Sequence, residues 1–198
     1  FPSGGGGGLT PKFQEFNASG TFTPTQALID AGGYIEAFLV AGGSGGHKDS
    51  TTIGGQGGEA QIKKMYLTST NPITVTIGAG GPAVAWNNLP AATGGNSVFS
   101  GATAGGITLT SVGGILADNN QKIATMISPG WGARSDGTYS SPPGSGVNGY
   151  GMGGGTEQNV GAYTSFQKPN SGQGGVTGSP VADSTDGASG YCLIKWYE

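Results

Sequence analysis

Ala41-Gly-Gly-Ser-Gly-Gly-His47 and its near copy Gly54-Gly-Gln-Gly-Gly-Glu59 decide how this chain folds. In both, glycines fall three residues apart: Gly42 with Gly45, Gly43 with Gly46, Gly54 with Gly57, Gly55 with Gly58. Three is the repeat of an extended polyproline-II-type helix, and is neither the 3.6 of an α-helix nor the 2 of a strand. A glycine face at every third residue lets two such helices approach backbone to backbone, as at the axis of collagen, although the strict Gly-X-Y register is absent. The other meaning of Gly/Ser-rich sequence, a flexible linker, fits poorly because these motifs alternate regularly with short apolar runs.

Those runs lie on both sides of the two motifs. Tyr34-Ile-Glu-Ala-Phe-Leu-Val40 is rich in β-formers and bounded by glycine pairs, which predicts a strand. Gln61 to Leu67 and Ile73 to Ile77 read as the next strands, the second with Ile73, Val75 and Ile77 on one face and Thr74 and Thr76 on the other. Gly94 to Phe99 and Gly105 to Leu109 each place a glycine pair before a short strand, and Gly190 to Tyr197 closes the chain with Cys192, Ile194 and Trp196 on one face. Phe13 to Thr23 predicts a first strand or edge anchored by Phe13, Phe16 and Phe22. Asp118 to Ile127 is the only stretch that reads as a helix, with Asp118 as its N-cap. From Pro129 to Gly178 the chain is dense in Gly, Ser and Pro with isolated aromatics, and Gly172, Gly175 and Gly178 again fall three apart.

The expected fold is therefore mainly β, with glycine-rich polyproline/polyglycine-II helices packed in layers and little or no α-helix. Residues 1–12 read as a glycine-rich linker from an upstream region, and 13–198 as a single domain; the start at Phe1 without methionine suggests a piece of something longer. Composition supports a folded chain. Its 198 residues include 43 glycines, roughly three times the average share, yet only 10% are charged and the net charge is -3. Disordered chains combine high net charge with few aromatics, whereas this one has three Trp, seven Tyr and seven Phe. Hydrophobic residues reach only 34%, which predicts a thin side-chain core supplemented by dense backbone hydrogen bonding.

Several chemistries find no footing. Eight Lys and Arg, scattered along the chain, make no footprint for nucleic acid. The single cysteine, Cys192, sits in an apolar run and has no internal disulfide partner. His47 is the only histidine, so a multi-histidine metal site is excluded within one chain, and no cofactor is expected. Gly144, Gly146, Gly149 and Gly149, Gly151, Gly154 match Gly-x-Gly-x-x-Gly but neither follows a strand nor opens a helix. The eleven acidic residues are dispersed; Asp183 and Asp186 are close, yet their surroundings read as a turn rather than a hydrolytic carboxylate pair. The chain reads as a non-enzyme.

What remains is recognition chemistry. Trp86, Asn87 and Asn88, the Trp131 loop with Arg134, Asp136 and Tyr139, then Tyr150 and Tyr163 are flanked by glycine or proline and are expected at the surface, where aromatics can stack on sugar faces or protein loops beside polar groups.

The order of blocks Gly20-Thr-Phe-Thr-Pro24, Phe38-Leu-Val-Ala-Gly-Gly-Ser-Gly-Gly46, Gly54 to Ala60, Val75 to Gly81 and Gly94 to Phe99, with the closing Gly187 to Tyr197, resembles the glycine-rich domain of tailed-bacteriophage tail-fibre proteins. It is also similar to the receptor-binding adhesins at the fibre tips of T-even-like phages. The resemblance implies a rigid polyglycine-II platform whose variable loops attach the virion to a bacterial surface receptor, whether lipopolysaccharide, capsule or an outer-membrane protein. It further implies a place at the distal end of the fibre, an upstream fibre protein as partner and a homotrimer as one assembly. It carries over no individual binding residue. The competing expectation is a self-assembling structural protein, of filament or ice-binding type, hinted at by Thr74 and Thr76 with Thr108 and Thr110; a glycan depolymerase ranks third.

Overall fold

Alternation within the apolar runs becomes two four-stranded antiparallel sheets in a computed structural model of the chain, which describes residues 8–46, 55–83, 93–101, 108–114, 150, 170–175 and 184–198. The strands are β1 (Pro11–Phe16), β2 (Gly20–Phe22), β3 (Tyr34–Val40), β4 (Ala60–Tyr66), β5 (Ile73–Thr76), β6 (Ser97–Ser100), β7 (Thr108–Ser111) and β8 (Tyr191–Tyr197). Their order is β1-β8-β3-β4 in the first sheet and β2-β5-β6-β7 in the second. The fold is mainly β, as expected from the alternation. The stretch expected to form one first strand divides instead: β1 and β2 join different sheets across the bends at Asn17 to Ser19. β1 also begins inside the stretch read as a linker, because Thr10 and Glu198 exchange backbone hydrogen bonds at 2.7 and 3.1 Å and continue the ladder beyond Pro11.

Among the described residues the two sheets enclose the larger core, and a smaller cluster of Val40, Ala60 and Tyr191 lies apart from it. Ile35, Ala37 and Leu39 of β3 and Cys192, Ile194 and Trp196 of β8 point inward to meet Phe22, Ile73, Val75 and Phe99 of the second sheet. The Phe22 and Trp196 rings meet edge to face across the sandwich with centroids 5.3 Å apart. Thr74 and Thr76 are exposed on the opposite face, as period 2 requires.

One short helix, α1 (Gln26–Asp30), was not foreseen. Thr25 caps it, its hydroxyl accepting from the Leu28 N–H at 3.0 Å, and Leu28 is buried beneath the sheets. Five residues are too few for a helical period to register in sequence. The helix expected at Asp118 to Ile127 lies outside the described residues.

Six of the strands run directly into glycine-rich segments: β3 into 41–46, β4 from 55–59, β5 into 77–83, β6 from 93–96, β7 into 112–114 and β8 from 184–190. Residues 170–175 add a seventh. None of these segments belongs to a sheet, yet each is joined to others by backbone hydrogen bonds. Segment 41–46 illustrates the packing. Gly42, Gly43 and Ser44 donate to Gly95, Ala188 and Gln56 at 3.0, 3.0 and 2.9 Å, while Gly114, Gly81 and Gly175 donate to Gly42, Gly43 and Ser44, each at 2.8 Å. A strand in a sheet has two neighbours; this segment is bonded to all six others.

The spacing of three recurs in the bonding. Ala41 and Ser44 donate to Glu59 and Gln56, Gly43 and Gly46 to Ala188 and Thr185, and Gly55 and Gly58 to Gly175 and Gly172. In each case a step of three along one segment matches a step of three along an antiparallel neighbour. Space, rather than backbone conformation, demands the glycines: a Cβ at Gly42 would lie 2.0 Å from the Ala79 carbonyl oxygen, and one at Gly45, three residues on, 2.0 Å from that of Pro82 in the same neighbour.

Candidate functional site

The bundle has two ends. At one, the glycine segments continue into strands. At the other, Gly46 donates to the Thr185 carbonyl at 3.0 Å, Gly55 to that of Gly175 at 2.7 Å, and the Ala83 N–H to the Asp186 carboxylate at 2.6 Å. Gly46, Gly55, Ala83 and Gly175, which border 47–54, 84–92 and 176–183 in the sequence, all lie at this far end. Asp186, weighed in the sequence as half of a carboxylate pair, fastens one segment to another; Asp183 lies outside the described residues.

Most residues expected to bind also lie outside the described residues: Trp86, Asn87, Asn88, Trp131, Arg134, Asp136, Tyr139 and Tyr163, together with His47. Tyr150 is described. Its ring meets Phe38 edge to face at 5.1 Å and stacks on Tyr191 at 5.2 Å, the planes 21° apart. These contacts put it on the outer face of the first sheet, away from the core.

The register explains what else is there. Opposite the core-facing residues, β3 presents Glu36 and Phe38, β8 presents Tyr191, Leu193, Lys195 and Tyr197, β4 presents Ile62, Lys64 and Tyr66, and β1 presents Phe13 and Glu15. Pairing aligns them into two rows across the strands, Phe13–Lys195–Glu36–Lys64 and Glu15–Leu193–Phe38–Ile62. Three charges beside Phe13 therefore run next to three apolar side chains beside Glu15.

Among the described residues, two hollows open on this face. One, of about 250 Å³, is lined by Glu36, Phe38, Ile62, Tyr150, Leu193 and Lys195, with Tyr191 behind. The other, of about 410 Å³, lies across β1 and β8 between Phe13, Glu15 and Tyr197, and the two share Leu193 and Lys195. The Tyr191 hydroxyl donates to Glu15 Oε1 at 2.9 Å; burial, then this bond to a carboxylate and its negative charge, push the phenol well above its ordinary pKa. Tyr191 is thus a fixed, neutral wall. Glu36 pairs with Lys64 at 4.0 Å, and Lys12 with Glu198 at 3.9 Å. The Glu198 carboxyl, accepting from the Thr25 hydroxyl, is held below the usual range. Among the described residues no cluster of three or more His, Cys, Asp or Glu has metal-binding geometry.

Reading the sequence missed these groove residues. The signal was present in β8, whose second face, Tyr191-x-Leu193-x-Lys195-x-Tyr197, alternates as regularly as the first.

A comparison with curated proteins finds no match. Seven hydrogen-bonded glycine segments extending two β-sheets are what the composition would lead one to expect of a glycine-rich domain, and the chain belongs to the glycine-rich domain family, whose model matches residues 16–197.

Proposed function

We propose that this domain is a non-enzymatic adhesin at the distal tip of a phage or prophage tail fibre, attaching the virion to a bacterial surface glycan or outer-membrane protein. The reading rests on the order of glycine blocks that resembles tail-fibre domains. The structural observation that supports it is the far end of the bundle, where Gly46, Gly55, Ala83 and Gly175, which border 47–54, 84–92 and 176–183 in the sequence, are bonded across segments. We read the three-residue bonding repeat as polyglycine-II packing. A platform of this kind holds its connecting segments at fixed roots, which lowers the ordering cost of binding. Attachment would then be multivalent, several fibres turning weak contacts into high avidity, with an upstream fibre protein carrying the domain and a homotrimer as one arrangement.

The test is binding of fluorescently labelled domain to a panel of bacterial strains, including mutants stripped of surface glycan or of single porins. Binding restricted to certain strains and lost in one mutant class is the expected result. No binding to any strain, with filaments under the electron microscope, overturns it.

A second reading, self-assembly or ice binding through a flat hydroxyl face, has one observation in its favour. The register aligns Thr21, Thr74, Ser100 and Thr108 in a row across all four strands of the second sheet. Thermal hysteresis or fibre growth abolished by Thr74→Val would favour it.

A further inference from the structure

We propose that the outer face of the first sheet binds a short neutral oligosaccharide, one pyranose ring in each hollow with Lys195 between them. The proposal deepens the adhesin reading by naming a receptor class and a second place of contact, away from the far end of the bundle.

The chemistry of the two rows selects this ligand. A pyranose offers an apolar C–H face and a rim of hydroxyls that both donate and accept. Phe38 and Leu193 form an apolar floor, Tyr150 stands beside it, and Glu36 and Lys195 edge it with a carboxylate that accepts and an ammonium that donates. At about 250 Å³, this hollow is below the ~300–1,000 Å³ of sites for drug-sized ligands and suits a single ring. The adjoining hollow repeats the arrangement with Phe13 and Tyr197 as apolar surface and Glu15 as acceptor. Because the two share Leu193 and Lys195, a ligand filling both must be a chain of rings laid across β1, β8 and β3.

Charge balance selects a neutral chain. On this face Glu15 and Glu36 stand with Lys64 and Lys195, two carboxylates with two ammoniums. A uronic or sialic acid would find no excess positive charge. The exposed apolar side chains are themselves concentrated here: Phe13 and Tyr66 are each 69% exposed, Ile62 and Tyr197 each 50%. Single exposed apolar residues need no explanation, but a contiguous group beside a polar row marks a binding surface.

Two other occupants fit less well. An amphipathic helix or a second copy of this chain would bury the Phe13–Lys195–Glu36–Lys64 row under apolar side chains, and desolvating those charges costs more than their mutual attraction returns unless every one is paired. A sugar rim instead replaces water at each charged group with a hydroxyl. An added strand has nowhere to pair on this face, since β8 and β3 are already bonded on both sides.

The experiment is an amide-resolved NMR titration of the ¹⁵N-labelled domain with methyl β-glucopyranoside, lactose and chitobiose, with glucuronate as the charged comparator. Saturable shifts confined to Glu36–Phe38 and Leu193–Tyr197 are expected, with a disaccharide binding more tightly than the monosaccharide. Glu36→Gln and Lys195→Met, both at solvent-facing positions that leave the core intact, should each weaken binding about tenfold. Tyr150→Ala should remove it. Absence of shifts with every saccharide overturns the proposal. So do equal or tighter binding of glucuronate, unchanged affinity in both charge variants, or shifts of the same amides with protein concentration alone, which would assign the face to a second copy. The two readings separate on cells. A domain that attaches to bacteria but binds no saccharide refutes this site and leaves the adhesin standing. Saccharide binding without attachment to any strain does the reverse.

Discussion

The Ser97 hydroxyl donates to the Val40 carbonyl at 2.7 Å, tying β6 of the second sheet to β3 of the first at the level where both strands turn into glycine segments. The same oxygen accepts from the Gly78 N–H at 2.9 Å, so one side chain joins three segments at the root of the bundle. Ser111 does a similar task for β7, donating to the Leu39 carbonyl at 3.0 Å. Both serines and their carbonyl partners are buried, and buried polar groups left unmatched are expensive.

Replacing Ser97 with Ala should therefore cost about 2–3 kcal/mol, since a buried donor and a buried acceptor are both orphaned. Ser111→Ala, which loses one bond, should cost about 1 kcal/mol. Urea unfolding with unchanged m-values checks both; equal, negligible losses would mean that water reaches the junction.

Glycine is required in the bundle by proximity. Gly42→Ala and Gly94→Ala would each drive a methyl to 2.0 Å from a backbone carbonyl oxygen, of Ala79 and Gly42 respectively. Backbone atoms cannot swing aside as a side chain would, so each should destabilise by at least the ~1–3 kcal/mol of overpacked sites. Gly8→Ala, with nothing near its Cβ, should change stability by no more than about 0.5 kcal/mol. Thermal unfolding of the three variants measures the contrast; uniform tolerance would show a bundle loose enough to expand.

Cys192 reports on the core's integrity. Burial pushes its thiol up to about 12 from an ordinary 9. The folded state therefore holds a proton that the unfolded state releases, so stability is complete below pH 9 and falls as pH rises toward 12, by up to about 1.4 kcal/mol per unit. Tyr191 shifts in the same direction and adds to the loss above pH 10. Stability curves at pH 8 and above should show this decline, and Cys192→Ala should flatten its lower part. A thiol reagent should label Cys192 in native protein only as fast as the chain unfolds.

How much of this was legible beforehand follows the range of the interactions. Ile73-x-Val75 and Cys192-x-Ile194-x-Trp196 announce their faces because a strand's period is local. The three-residue glycine spacing at Gly42 and Gly45 is local too, and both meet the same neighbour. What residues cannot announce alone is partnership. That β1 pairs with β8, at the other end of the chain, sets which side chains stand beside Lys195, and hence the whole outer face. Tyr150 reads as an aromatic between glycines, but its companions Phe38 and Tyr191 come together only through the long-range pairing of β3 with β8.

The loop expectation remains the sharpest test of attachment. Trp86 lies in 84–92, which follows Ala83 and its bond to Asp186 in the sequence, and Trp131 in the stretch after Gly114, both outside the described residues. Tryptophans that anchor a receptor contact typically contribute about 2 kcal/mol or more, so Trp86→Ala or Trp131→Ala should reduce cell binding by roughly thirtyfold per site, and by more across several fibres. Unfolding curves must match the parent protein, because a tryptophan packed inside would lower stability and binding together. Parent-like stability with lost binding identifies a contact residue. Parent-like stability with unchanged binding in both variants would move recognition away from these links and toward the face that carries Lys195.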